Sequence, residues 1–107
     1  MFHVLRFSTE AKNQLAELGL SPSTKGIHKQ VNRALGHLQS DPTHPSLNTH
    51  EFTSLSTKDR KVFEAYAQNN TPGAYRILWY YGPDERDPKT KKNIPVITVF
   101  AIIPHPR

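Results

Sequence analysis

The sequence predicts an α+β fold: a small, antiparallel-dominated sheet of four to five strands, with an N-terminal helical hairpin on one face. Three observations predict it. Apolar residues recur at helical spacing in two early segments, the second ending at Leu38. A proline-bearing stretch from Ser40 to Asn48 then excludes helix interior and central strand. Beyond it come aromatic and β-branched runs separated by turn residues, strongest at Ala74 to Tyr81 and Ile94 to Ile103.

The elements follow in order. Phe2 to Phe7 reads as a first strand, with Arg6 facing outward. Ser8 or Thr9 supplies a helix cap, and Glu10 suits the positive end of that helix. Ala11, Leu15 and Leu18 share one face of the helix Thr9 to Leu18, and Gly19 is expected to end it. Ser21-Pro22-Ser23 starts a second helix, about Thr24 to Leu38, with the stripe Ile27, Val31, Ala34, Leu35 and Leu38. Its other face carries Lys25, Lys29 and Arg33, four apart, as a basic ridge. The two helices form an αα-hairpin.

Leu47 is expected to pin the proline-bearing loop to the core. Phe52 to Leu55 reads as a short strand, Ser56 to Arg60 as a turn, and Lys61 to Ala67 as a strand with two unequal faces. Asn69 to Gly73 is a turn signal. Gly82 to Asn93 is a polar hairpin tip. The last strand is almost wholly apolar, which places it centrally in the sheet, with Pro95 at its start. The order is β-α-α-β-β-β-β.

Composition bounds the rest. A chain of 107 residues suits a single domain spanning 1–107. It has no cysteine, which removes disulfides, thiolate metal sites and a cysteine nucleophile, and fits a cytoplasmic setting. No targeting segment is visible, and the run from Ile94 to Pro104 is too short to span a bilayer. Fourteen Lys and Arg against nine Asp and Glu give +5, which suits a soluble surface or a polyanion partner equally. There is no glycine-rich phosphate loop, no serine-centred elbow and no metal-binding histidine spacing, so no cofactor is expected. His44 and His50 share the proline-bearing loop without forming such a spacing.

Several stretches resemble the RelE/ParE superfamily of toxins from type II toxin–antitoxin systems. Val4-Leu5-Arg6-Phe7, followed by Ala11 and Leu15, is similar to that family's strand and A-x-x-x-L helix. Leu38 to Pro42 is similar to its L-x-x-x-P loop. Gly73-Ala74-Tyr75-Arg76-Ile77-Leu78-Trp79-Tyr80 resembles its G-x-Y-R strand, and Ile97 to Ile103 its last core strand. The resemblance implies a toxin that cleaves messenger RNA on the ribosome without a metal, neutralised by a cognate antitoxin. One branch of the family instead inhibits DNA gyrase. Two departures bear on that choice. Phe63-Glu64-Ala65-Tyr66-Ala67 lacks the strand lysines of the ribosome-dependent members, and the chain stops at His105-Pro106-Arg107 without a tail tyrosine. The alternatives are therefore a gyrase-directed toxin or a non-catalytic binding protein of the same fold.

Metal-free RNA cleavage needs a group to take the 2′-hydroxyl proton, a cation for the phosphate, and a proton donor for the 5′-oxygen. Arg76 is the first candidate. It is either a phosphate clamp or the structural partner of Glu64. His105 is an acid or base candidate, Glu64 a base and Lys61 an electrostatic group. Lys58, Arg60 and Arg107 are candidates for phosphate contact, and Tyr66 and Tyr81 for base stacking.

Overall fold

The computed structural model describes residues 2–68 and 73–104. The turn signal at Asn69 to Pro72 and the candidates His105 and Arg107 lie outside the described residues.

Ser8 links the first strand to the first helix. It follows β1 (Val4–Phe7) and caps α1 (Thr9–Leu20): its Oγ accepts from Ala11 N at 3.0 Å and donates to Phe100 O at 3.0 Å. Gly19 does not end α1. The helix runs on to Leu20 and turns at Ser21, whose backbone is extended. Gly19 instead serves a close approach, since a Cβ there would lie 3.2 Å from the His28 ring of the second helix. A single 3₁₀ turn, Pro22–Thr24, joins the helices, and the Thr24 hydroxyl donates to Leu18 O at 2.7 Å. α2 (Lys25–Ser40) then buries Val31, Ala34, Leu35 and Leu38, as its periodicity requires.

The strands are β2 (His50–Glu51), β3 (Phe63–Tyr66), β4 (Tyr75–Tyr81), β5 (Glu85–Arg86), β6 (Asn93–Ile94) and β7 (Val96–Pro104). Five of them form a mixed sheet in the order β1-β7-β4-β3-β2, and β5 pairs with β6 in a separate two-stranded arm. Pairing is antiparallel except between β1 and β7, which run parallel from Val4↔Val96 to Phe7↔Val99. β4 takes the middle position rather than β7, but β7 is paired on both edges, as an apolar strand should be. The architecture is thus α+β, with two N-terminal helices packed on a mixed, antiparallel-dominated sheet.

Two expectations are corrected. Phe52 to Leu55 is not a strand; Leu55 N and Ser56 N both bond back to Phe52 O, which makes it a turn. The pairing segment lies earlier, at His50 and Glu51, because β3 offers partners only there. The last strand starts at Val96, and Ile94 pairs instead with Glu85 in the arm at the Gly82 to Asn93 hairpin tip.

The core lies between helices and sheet. Ala11, Leu18, Val31 and Leu38 meet Ala65, Ile77, Trp79, Ile97 and Val99. Phe63 stacks on Trp79 with ring centres 4.9 Å apart. A bulge shifts the register between Leu78/Ala101 and Trp79/Val99, leaving Phe100 as the extra residue of β7. Near it, the Gln14 side chain accepts from Ile102 N at 2.7 Å and ties α1 to β7.

The loop after α2 is held as its prolines and Leu47 predict. Leu47 is fully buried in the 3₁₀ turn Pro45–Leu47, and the Thr49 hydroxyl donates to Pro42 O at 2.7 Å. No helix of the described residues is long and apolar enough to cross a membrane.

Two outcomes follow for stability. Leu47→Ala leaves a cavity under the loop and should cost about 2–5 kcal/mol in urea denaturation; a cost under about 0.5 kcal/mol would show that Leu47 does not pin it. Asp84 accepts from Val96 N at 3.0 Å and from Asn93 Nδ2 at 3.1 Å, and these bonds hold its carboxyl below the ordinary value of 3.8. A depressed folded value stabilises above the unfolded value and is lost as pH falls through the folded one. Asp84→Ala should therefore lower Tm at pH 7, with the difference from wild type closing in acid below the ordinary value. A difference constant down to strong acid would contradict this.

Candidate active site

The face of the sheet away from the helices carries the polar side chains. Along β3, Glu64 and Tyr66 share that face, and across the ladder Tyr66 lies opposite Arg76 of β4. On the other side of β3, His50 lies opposite Glu64. These four residues come from three neighbouring strands and form one cluster.

Their contacts are specific. His50 Nε2 lies 2.8 Å from Glu64 Oε1, and His50 Nδ1 lies 2.9 Å from Asn48 O. The ring thus bridges the Glu64 carboxyl group and a backbone carbonyl through its two nitrogens. Asn48 places its carbonyl there by adopting a left-handed backbone, φ 45°, at the end of the Pro45–Leu47 turn; asparagine tolerates that conformation better than most residues. Glu64 is only 2% exposed, whereas the His50 side chain is 48% exposed. The buried carboxyl group thus holds a solvent-facing imidazole ring.

Arg76 completes the group. Its guanidinium sits 3.6 Å above the Tyr66 ring centre, and Nη1 donates to Gln68 O at 3.0 Å and Tyr75 O at 3.3 Å. Its Nε is buried with no hydrogen-bond partner among the described residues. The His50 ring meets the same Tyr66 ring edge-on, with centres 5.6 Å apart. Tyr66 therefore lies between the Arg76 guanidinium and the His50 ring.

Glu64 and Arg76, considered together from the sequence as a possible ion pair, do not pair. Among the described residues Glu64 has His50 as its ion partner within 4 Å, and Arg76 is held by carbonyls and a ring. His50 was missed because its role depends on a two-residue strand with no hydrophobic signal. One clue was present: a glutamate inside an apolar strand needs a polar partner once buried.

The remaining candidates are placed less closely. Arg60 lies over the Tyr80 ring at 4.1 Å, on the same face as Arg76. It lines an open recess of about 430 Å³ with Leu55, Tyr80 and Phe100. Lys58 and Lys61 are exposed beside it. Tyr81 faces the helix side instead, packed edge-on against Trp79 at 4.9 Å; burial and, less strongly, the Asp41 charge raise its hydroxyl above the ordinary value of 10.0. Among the described residues, no group of three or more His, Asp or Glu is arranged to hold a metal ion.

No family model, curated protein or solved structure matches this chain.

Arg76→Lys would keep the charge but lose the planar contact with Tyr66 and one fork of donors. It should cost about 1–3 kcal/mol in urea denaturation. An unchanged midpoint would mean that the guanidinium plane contributes nothing to the fold.

Proposed function

We propose that this chain is a RelE/ParE-type toxin that cleaves ribosome-associated messenger RNA, with the open sheet face as its active site. The observation that carries this reading is the His50 ring, held by a buried carboxyl group and set beside Arg76 around one tyrosine ring. The sequence resemblance supplies the toxin class. By that resemblance, the cytoplasm is where the protein acts and a cognate antitoxin is its partner.

The chemistry is attack of the 2′-oxygen on the adjacent phosphorus. It gives a 2′,3′-cyclic phosphate and a free 5′-hydroxyl. Arg76 and His50 together offset the charge that builds on the phosphate oxygens. His50 passes a proton to the departing 5′-oxygen, and the 2′-hydroxyl proton goes to solvent. Glu64 is a positioning residue: it orients the ring. Tyr66 offers the surface on which a base stacks. Arg60 and Tyr80 extend the same face toward a neighbouring nucleotide.

One observation favours a second reading. Arg76 is 8% exposed, its Nη1 donates to two backbone carbonyls and its plane covers Tyr66, as in a purely structural arginine. On that reading the chain is a binding protein of the same architecture, directed at gyrase or another protein.

The test uses purified chain, translating ribosomes and a defined message, with 5′ ends mapped by primer extension. Wild type should cut within the translated region, and His50→Asn should reduce the rate by about 10²–10⁴. Intact message with wild-type protein would sink the nuclease reading. Loss of DNA supercoiling activity in a parallel gyrase assay would then support the second.

A further inference from the structure

The basic ridge of α2 plays no part in the cluster just described, yet it leads to it. Lys25, Lys29 and Arg33 are exposed and four residues apart, and His37 continues the same row. Successive members of such a row stand about 6 Å apart along the helix. The row ends at a recess of about 160 Å³ where β3 runs past the end of β2.

Six polar side chains line the recess: Gln30, Arg33, His37, Ser46, Tyr66 and Gln68. Among the described residues, none of the lining is a carboxylate. Gln30 and Arg33 supply its donors. Gln68 Nε2 donates to Gln30 Oε1 at 2.8 Å, which leaves the Gln30 amide group as a donor. Ser46 and its amide are taken up by His44 Nδ1, and the His44 ring stacks on His37 with centres 3.9 Å apart. That stack fixes the His37 ring at the recess. Arg33 makes no ion pair within the described residues. Tyr66 is the shared wall, since its ring is also the one covered by Arg76.

A small recess of donors without acids, fed by a row of cations, suits a phosphodiester group. We infer that the α2 ridge and this recess bind the backbone of the single-stranded RNA whose scissile phosphate lies at His50 and Arg76. This rests on the RNA reading above and adds a second phosphate subsite, with Arg33 and His37 as its ligands. Tyr66 then separates the subsite from the reacting centre, so a strand crossing that ring meets both. The contact is to phosphate, so it adds affinity without base preference.

The test measures binding of a fluorescently labelled, single-stranded oligonucleotide with 2′-methoxy groups, which cannot be cut, by anisotropy across a salt series. Arg33→Gln should weaken binding roughly three- to tenfold and lower the salt slope by about one, equally for different sequences. Arg33→Lys should recover most of the loss, because a phosphate accepts either cation. Lys89→Gln, on the exposed arm, should change nothing. If Arg33→Gln and His37→Asn bind like wild type while His50→Asn binds more weakly, the subsite is overturned and the cleft reading stands. If binding depends on Arg33 but ribosome-bound message stays intact, the subsite stands and the nuclease reading falls. Absence of wild-type binding would overturn the subsite, while cleavage on translating ribosomes decides the nuclease reading separately.

Discussion

Strand β7 is the constraint from which the rest of the arrangement follows. Its residues are almost all apolar, so both faces need cover and both edges need partners. β1 satisfies one edge in parallel and β4 the other in antiparallel. Helix α1 lies against it, held by the Gln14 bond to Ile102 N. Its bulge at Phe100 lets the long β4 and β7 strands twist while both stay paired. Arg76 is in turn fixed relative to β3 because β4 is anchored along its length to β7. A weak surface cluster on an isolated hairpin would not hold that geometry.

Electrostatics on the open face are organised around one buried negative charge. Glu64 has lost most of its water, and a desolvated carboxylate is costly unless a strong donor meets it. His50 meets it at 2.8 Å, with its other nitrogen fixed by Asn48 O. The outcome is an outward-facing imidazole ring with a defined orientation. Arg76 differs in kind: carbonyls and a ring hold it, and among the described residues no carboxylate lies within 4 Å of it. Together they leave a guanidinium and an imidazole beside a single tyrosine, a disposition that suits an anion.

The helices and the two long strands were legible in the sequence because each carries its own periodicity. Val31, Ala34, Leu35 and Leu38 mark α2 without reference to anything else. Tyr75 to Tyr81 and the apolar last strand are similarly self-declaring. Leu47 was legible as the lone apolar residue of a rigid loop. What escaped was set by tertiary pairing. His50 and Glu51 form a strand only because β3 offers its edge there, and the nearby apolar signal at Phe52 and Leu55 points to the wrong segment. Gly19 carries the usual sign of a helix end, yet its reason is the neighbouring His28 ring, invisible before the helices pack. Arg76 was found, but its supposed partner Glu64 was already engaged by a residue distant in sequence.

The parallel pairing of β1 with β7 also governs when the molecule can form. The first strand finds its partner only in the last strand described, so the sheet cannot close while that segment is unmade. During synthesis, α1 and α2 emerge early with an apolar face that has no sheet to cover it. Closing so long a loop is entropically slow, and contacts this non-local delay folding relative to helical neighbours. β4, which carries Arg76, gains its second edge from the same late strand. The sheet that carries the open face is thus complete only after Val96–Pro104 has left the ribosome that makes it.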